Sequence, residues 1–469
     1  MGSREERDPL GRRKVPSGVL WGIQTLRAME NFPVSGLRNH EGILRAYAEI
    51  KLACAKANRD LGSLEESVAE AIIQATQEIL EGKHWENFVV DRFQAGAGTS
   101  TNMNVNEVIT NRALQLLGED MGRYDIISPN DHVNMGQSTN DTYPSASQMA
   151  AYRLSGELLK VLRELIDTLE KKAEELKDVL KSGRTHLMDA MPVTLGMELK
   201  AYALSLRRCS GELERAREGL KELPLGGNAV GTGVNTREGF RERLFEHLRE
   251  ITGVDFRPNP LPLEGLQSTG RMLSLAGAVN HVATELGRIA SDLRLLSSGP
   301  TTGLAEITLP AVQPGSSIMP GKVNPVMAEC LNMVCYHIHG LYQGVLMASG
   351  AGQMELNVMI PMIANDTLEM IQLLVNFLPV FRERAIERLE ANRERCRAYL
   401  ERNPSLATLL TPHIGYMKAA ELAKESLQTG KPVKDLAVEK GILSREEAER
   451  IFSRRNLLGM NGGELEGGR

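Results

Sequence analysis

Four short stretches of the 469-residue chain crowd hydroxyls, amides and glycines together with few apolar residues. They are Gly96-Ala-Gly-Thr99-Ser-Thr-Asn-Met-Asn-Val-Asn-Glu107 and Ser128-Pro-Asn-Asp-His132-Val-Asn-Met-Gly-Gln-Ser138-Thr139-Asn140-Asp141, then Gly183-Arg-Thr185-His186-Leu-Met-Asp189 and Gln313-Pro-Gly315-Ser316-Ser317-Ile-Met-Pro-Gly321-Lys322-Val-Asn324-Pro325. Taken singly, each suits a turn or a helix cap, because Ser, Thr, Asn and Asp satisfy free backbone groups. Taken together, they form a receptor for a small dicarboxylate. Lys322 supplies charge, the neutral side chains supply oriented donors, and the glycines admit backbone N–H groups. The same donors would stabilise negative charge building on a carboxylate as the adjacent carbon loses a proton. That chemistry needs no cofactor.

Motifs for other chemistries do not hold. Between Gly315 and Gly321 stand five residues where a phosphate loop has four, and Val323 occupies the place of its Ser or Thr. Gly226-Gly-Asn-Ala-Val-Gly-Thr-Gly233 lacks the dinucleotide register and a preceding strand. No G-x-S-x-G elbow occurs, so a Ser/His/Asp hydrolase is unsupported. Cys330, Cys335, His337 and His339 have no usual zinc spacing, and no carboxylate cluster specifies a Mg2+ site. The reading is therefore no metal and no required cofactor.

Long amphipathic elements must position these segments. In Leu154–Leu180, Leu158, Leu162, Leu165 and Leu169 step by four and three, and Met272, Leu275, Val279, Val282, Leu286, Ile289, Leu293 and Leu296 do the same. Each series is one helix face that packs on other helices, and residues such as Leu286 and Leu293 require partners. Strand signals are scarce, which predicts a helical bundle. Three zones appear: a Gly- and Asn-rich stretch to about Pro144, long helices over about Ser145–Ala391, and short helices from Asn392. In the last zone Thr429-Gly-Lys-Pro432 is a break and Ser444 with Glu447 predicts a capping box. The tail from Asn461 to Arg469 is expected to be mobile, and no internal repeat is present.

With Lys+Arg 55 against Asp+Glu 60, the net charge of −5 and its interspersed pattern argue against a nucleic-acid binder. The charged first residues, the absence of a long apolar run and five scattered cysteines predict a cytoplasmic protein with reduced thiols.

Gly315-Ser-Ser-Ile-Met-Pro-Gly-Lys-Val-Asn-Pro325 resembles the signature of the aspartase/fumarase superfamily, and the other three segments follow in that family's order. The resemblance runs from about Val15 to Ser453. Gly321-Lys-Val323 points away from the argininosuccinate and adenylosuccinate branches. Leu26–Gly36, Ala95–Ser100, Thr139 and Gln353–Met359 are similar to the aspartase branch. Met103–Glu107 and Thr185–Ala190 are shared with fumarases, and Ile360 matches neither. Ser128 stands where fumarases commonly carry His before Pro-Asn-Asp.

The resemblance implies reversible deamination of L-aspartate to fumarate and ammonia. Ser316 would be the general base, assisted by Lys322 and backbone N–H groups on a loop that Gly315 and Gly321 let close. Thr99, Ser138, Thr139 and the Ser317 N–H would hold the carboxylate that becomes an enediolate. Lys322 and Asn324 would hold the other carboxylate, and Asn140, Thr185 and His186 would surround the amino group. His132 reads as structural. The implied fold is mainly α: a three-domain fumarase/aspartase-like chain with a central long five-helix bundle, divided at 1–141, 142–393 and 394–469. The implied assembly is a homotetramer whose active sites are shared by three chains, with no nucleic acid and no membrane. A fumarate hydratase would use the same segments with water in place of ammonia. A non-catalytic structural protein of this fold would not need Ser316, Lys322, Asn324, Thr185 and His186 intact.

Overall fold

The computed structural model describes residues 2–459, so the tail expected to be mobile lies outside them. The chain opens with the antiparallel pair β1 (Ser3–Asp8) and β2 (Gly11–Pro16), then α1 (Ile23–Asn31), α2 (Glu41–Asp60), α3 (Glu66–Leu80) and α4 (Thr99–Leu116). Next come α5 (Thr139–Glu175), the antiparallel hairpin β3 (Leu180–Thr185) and β4 (Met188–Thr194), and α6 (Leu195–Gly219). A short parallel pair, β5 (Glu222–Leu223) and β6 (Arg257–Pro258), brackets α7 (Phe240–Thr252). Then follow α8 (Pro262–Gln267), α9 (Gly270–Leu296), β7 (Ile307–Thr308), α10 (Val326–Ser349), α11 (Ile360–Phe381) and β8 (Glu390–Ala391), which pairs with β7. The chain ends with α12 (Arg393–Glu401), α13 (Thr411–Ile414), α14 (Tyr416–Thr429), α15 (Val433–Glu439), α16 (Arg445–Ile451) and α17 (Arg454–Leu458).

Two compact units divide the chain. The first comprises Met1–Lys160, Cys209–Ala283 and Tyr336–Val375, and the second Val161–Arg208, Thr284–Cys335 and Asn376–Arg469. Each takes part of α5, α6, α9, α10 and α11, the five long helices. The spacing read from sequence sets their buried faces. Leu158, Leu162, Leu165 and Leu169 of α5 are buried, and so is every member of the α9 series from Met272 to Leu296. Leu286 and Leu293 thus find their partners inside the chain. The compositional break at Pro144 falls within α5. The helix starts earlier than the apolar stepping shows because its first turn is polar. No helix among the described residues is long and apolar enough to cross a membrane, and the five cysteines are thiols.

The first of the four polar stretches is itself largely helical. From Thr99 onward it forms α4, and Asn102, Asn104, Asn106 and Glu107 are buried there. Amides are poor helix formers, so their place is explained by what they bond. Glu107 accepts hydrogen bonds from the backbone N–H groups of Gly22 (2.9 Å), Gln24 (2.8 Å) and Thr25 (3.0 Å) and from the Thr25 hydroxyl (2.6 Å). It serves as the cap of α1, whose N-terminus lacks a cap of its own. Asn104 donates to Asn87 O (3.0 Å), and Asn111 to Leu20 O (2.7 Å).

The C-terminal helices form a small core around Leu410, Leu422, Leu436 and Ile451. Gly430 ends α14 in the left-handed conformation, and the Ser444–Glu447 capping box opens α16.

A two-pronged ion pair ties α4 to α3: Arg112 Nε lies 2.6 Å from Glu78 Oε2 and its second nitrogen 2.9 Å from Oε1, with His84 at 3.0 Å. Arg112 and His84 hold the Glu78 carboxyl down to about 2. A carboxyl lowered in the folded state stabilises above its ordinary value near 4.5, and this stabilisation is lost as pH falls toward about 2. Glu78→Gln should therefore cost about 1–3 kcal/mol at pH 7. In urea unfolding, the gap to the parent protein should shrink to roughly half or less by about pH 3.

Candidate active site

In the first unit, Thr99, Ser138, Thr139 and Asn140 are gathered at two helix N-termini. Thr99 is the first residue of α4, reached through a tight turn in which Ala97 (φ 62°) and Gly98 (φ 88°) are left-handed. Gly98 is obligatory, since a Cβ there would lie 2.0 Å from the Tyr143 ring. Ser138 caps α5: its hydroxyl accepts the Asn140 N–H (3.2 Å), while its own N–H donates to Asp141 Oδ1 (2.9 Å). Asn102 Nδ2 donates to Thr139 Oγ1 (3.1 Å), which sets the first turns of α4 and α5 side by side. Two neighbouring helix N-termini, each carrying partial positive charge, make this a place that suits an anion.

The sequence reading missed what braces this corner. Asp141 is fully buried and also accepts the N–H groups of Gly226 and Asn228 (both 2.9 Å), while Asn140 Nδ2 donates to Ala229 O (2.8 Å). The Gly-rich loop that fails as a nucleotide motif is thus a clamp on the start of α5. Burial pushes the Asp141 carboxyl up to about 6. Behind it, Lys51 of α2 is 1% exposed and donates to Asn134 Oδ1 (3.0 Å) and Gln137 Oε1 (2.8 Å). Burial pulls Lys51 down to about 7. The Ser138-x-x-Asp141 capping pattern was legible as a signal. For Lys51, the only sign was a charge set in the apolar run Ile50-Lys-Leu-Ala-Cys54.

The other predicted residues belong to the second unit, in two groups. Thr185 and His186 sit at the tip of the β3–β4 hairpin and are exposed. Thr185 pairs with Met188, leaving His186 (φ 56°) and Leu187 (φ 61°) as a two-residue turn, both left-handed. Such turns favour Asn-Gly. A His-Leu pair costs on the order of 1–3 kcal/mol per residue and needs an over-determined base. That base is ionic: Glu306, fully buried, takes both prongs of Arg184 (2.9 and 3.0 Å) and lies 3.1 Å from Lys181, which also reaches Glu198 (2.7 Å). Asn403 adds bonds to Ser182 Oγ (3.0 Å) and Ala190 O (2.8 Å).

Ser316, Ser317, Lys322 and Asn324 form the second group, on a loop closed upon itself. Gly315 N donates to Lys322 O (2.8 Å), and Asn324 Nδ2 to Gly315 O (2.7 Å). A Cβ on Gly315 would meet Lys322 O at 2.4 Å. The Ser316 hydroxyl oxygen accepts two backbone N–H groups, from Ile318 (3.1 Å) and Met319 (2.9 Å). Two donors on one oxygen favour its ionised form, which is what a serine needs to act as a base. Ser317 and Lys322 are exposed, and a cavity of about 490 Å³ between Val312, Ser316, Met319 and Lys322 opens to the surface. His132 is engaged locally: its Nδ1 accepts the Ser128 N–H at 3.0 Å.

Residues 11–340 match a family model described as lyase, and residues 406–459 match one described as fumarase C C-terminus. The chain belongs to the aspartase/fumarase superfamily of lyases. It is 43% identical over 450 residues to the aspartate ammonia-lyase of Bacillus subtilis (strain 168), covering 96% of this chain and 95% of that one. To the class II fumarate hydratase of Thermus thermophilus it is 44% identical over 452 residues, with 96% and 97% covered. The solved fumarate lyase:delta crystallin of Brucella melitensis superposes with a TM-score of 0.92 at 44% identity, covering 96% of this chain and 98% of that one. Membership in the superfamily agrees with the mainly helical fold and its five long helices. The two identities are too close to separate its branches.

Removing Glu306 would leave the buried Lys181 and the half-buried Arg184 without their shared carboxylate. Glu306→Gln is expected to destabilise the protein by about 3–5 kcal/mol in urea unfolding. Amide exchange in β3 and β4 should accelerate more than in α3, which lies in the other unit.

Proposed function

We propose that this lyase is an aspartate ammonia-lyase, converting L-aspartate reversibly to fumarate and ammonia. The observation that carries the reading is the paired first turns of α4 and α5. They present Thr99, Ser138 and Thr139 where helix N-termini receive an anion. The side-chain carboxylate of aspartate is placed there, with the Ser317 N–H. Ser316, whose deprotonated form its two N–H donors favour once its own proton has passed to solvent, takes the proton from the adjacent carbon. The electron pair moves into the carboxylate to give an enediolate, whose second negative charge the fixed donors bind more tightly than the ground state. Collapse of the enediolate breaks the carbon–nitrogen bond, and the amine leaves as neutral ammonia past Asn140, Thr185 and His186. Lys322 and Asn324 hold the other carboxylate. No cofactor takes part.

Two observations support the aspartase branch over the hydratase. Thr139 stands at a position where fumarases usually carry a second Ser. Ser128, which replaces the fumarase His, spends its hydroxyl on Asp131, accepting the Asp131 N–H (3.1 Å) and donating to Oδ2 (2.8 Å). It is thereby committed to a local cap. We assign the working form as a cytoplasmic homotetramer whose sites combine segments of three chains. The exposed face of α10 supports this: Met333, Tyr336 and Met347 are 63%, 61% and 77% exposed and line one seam with Gly340 and Gln343. An apolar seam of that length is costly in water and matches a helix–helix contact.

Ultraviolet absorbance of fumarate tests the reading directly. Fumarate should form from L-aspartate and not from L-malate, and turnover of malate alone would make the protein a hydratase. Ser316→Ala should keep the fold and lose kcat by roughly 10²–10⁴-fold. A rate unchanged by that substitution would remove Ser316 as the base.

A further inference from the structure

Lys51 is a buried amine, pulled down to about 7 by burial, whose hydrogen-bond partners are neutral. Its Nζ donates to the side-chain oxygens of Asn134 (3.0 Å) and Gln137 (2.8 Å), both neutral amides. The Cys54 thiol and Asp141 act on it only through space, and Asp141 has its oxygens taken up by the N–H groups of Ser138, Gly226 and Asn228. Burying an ammonium without a counter-ion is expensive, so Lys51 is only partly protonated near pH 7, and amide partners alone do not repay that cost.

Its place in the network shows what does. Asn134 Oδ1, the acceptor of the Lys51 bond, also receives Asn102 Nδ2 (3.1 Å), and Asn102 Nδ2 reaches Thr139 Oγ1 (3.1 Å). Asn134 Nδ2 in turn donates to the carbonyl of Gln137, the residue before Ser138 (3.1 Å). The ammonium therefore lies directly behind the two helix N-termini, separated from Thr139 by two amide side chains. All of these residues belong to the first unit.

We infer that Lys51 is the buried counter-charge of the substrate carboxylate, a positioning residue that acts through Asn134 and Asn102 on the anion held by Thr99, Ser138 and Thr139. The inference rests on the preceding reading of the site. The bound carboxylate carries one negative charge and the enediolate two, so each draws Lys51 toward its protonated form, and that positive charge in turn favours the enediolate. At roughly 8 Å and an effective dielectric constant of about 20, one unit charge changes that balance by about 30-fold.

The test uses the full-length enzyme and three variants: Lys51→Met, Lys51→Arg and Asn134→Asp. Asn134→Asp leaves the lysine in place but pairs it with a carboxylate, and it carries the test alone if Lys51→Met does not fold. Lys51→Met and Asn134→Asp should each lower kcat by about 30-fold with circular dichroism and elution volume unchanged. Lys51→Arg should retain more of kcat than Lys51→Met. With L-aspartate deuterated at the carbon that loses its proton, the isotope effect on kcat/KM should rise in both neutralised variants, since the proton-transfer step is the one slowed. A loss of activity with the isotope effect left at its parent value would mark a merely structural lysine and overturn the inference. So would a kcat within about threefold of the parent. A parent protein that forms fumarate from neither L-aspartate nor L-malate would overturn the inference together with the reading beneath it. Turnover of malate instead of aspartate would overturn only that reading, because the hydratase passes through the same enediolate.

Discussion

The hydrogen bond from Asn102 to Thr139 holds the start of α4 against the start of α5. Two helix N-termini side by side repel, because each concentrates partial positive charge and unsatisfied N–H groups. The arrangement is stable only where buried polar side chains hold it. Much of the first unit serves that constraint. Asp141 gathers the N–H groups of Ser138, Gly226 and Asn228 beneath α5, and Lys51 and Asn134 fill the space behind. Glu78 and Glu107 fix α4 to α3 and α1. The buried amides of α4, unfavourable as helix formers, are the bonds of this brace.

The second unit answers a different demand with the same means. A His-Leu turn with both residues left-handed does not persist by itself, and the Ser316 hydroxyl oxygen needs donors where its loop closes. The first strain is held by a buried cluster of Glu306, Lys181 and Arg184 at the root of the hairpin, and the second need is met by backbone N–H groups within the loop. Glu306 immediately precedes β7, from which the chain runs on toward the Ser316 loop. One carboxylate thus anchors the base of the hairpin that carries Thr185 and His186 and the strand that leads toward Ser316.

The legibility of these features differed with their range. Apolar stepping in α5 and α9, the break at Gly430 and the Ser444–Glu447 cap were readable because each depends on residues within a few positions of one another. The start of α5 was not, since its first turn is polar and Pro144 looks like a boundary. The helical nature of Thr99–Glu107 was hidden for the same reason: its asparagines are justified only by partners distant in the chain. Leu286 and Leu293 were correctly read as needing partners, but only packing showed that the chain supplies them itself, while the exposed apolar seam lies on α10.

By itself the sequence determined the residue types of the site, the signature loop and the long apolar helix faces, and through them the superfamily. Side-chain chemistry and helical period are local properties, written in residue order. The tertiary structure decided which charges are buried and what they face. Lys51, Asp141, Glu107 and Glu306 are ordinary charged residues in sequence, and each becomes a buried brace only when distant segments bring donors or acceptors to it. Electrostatic energy depends on separation and on the surrounding dielectric, and neither quantity exists until the chain has folded.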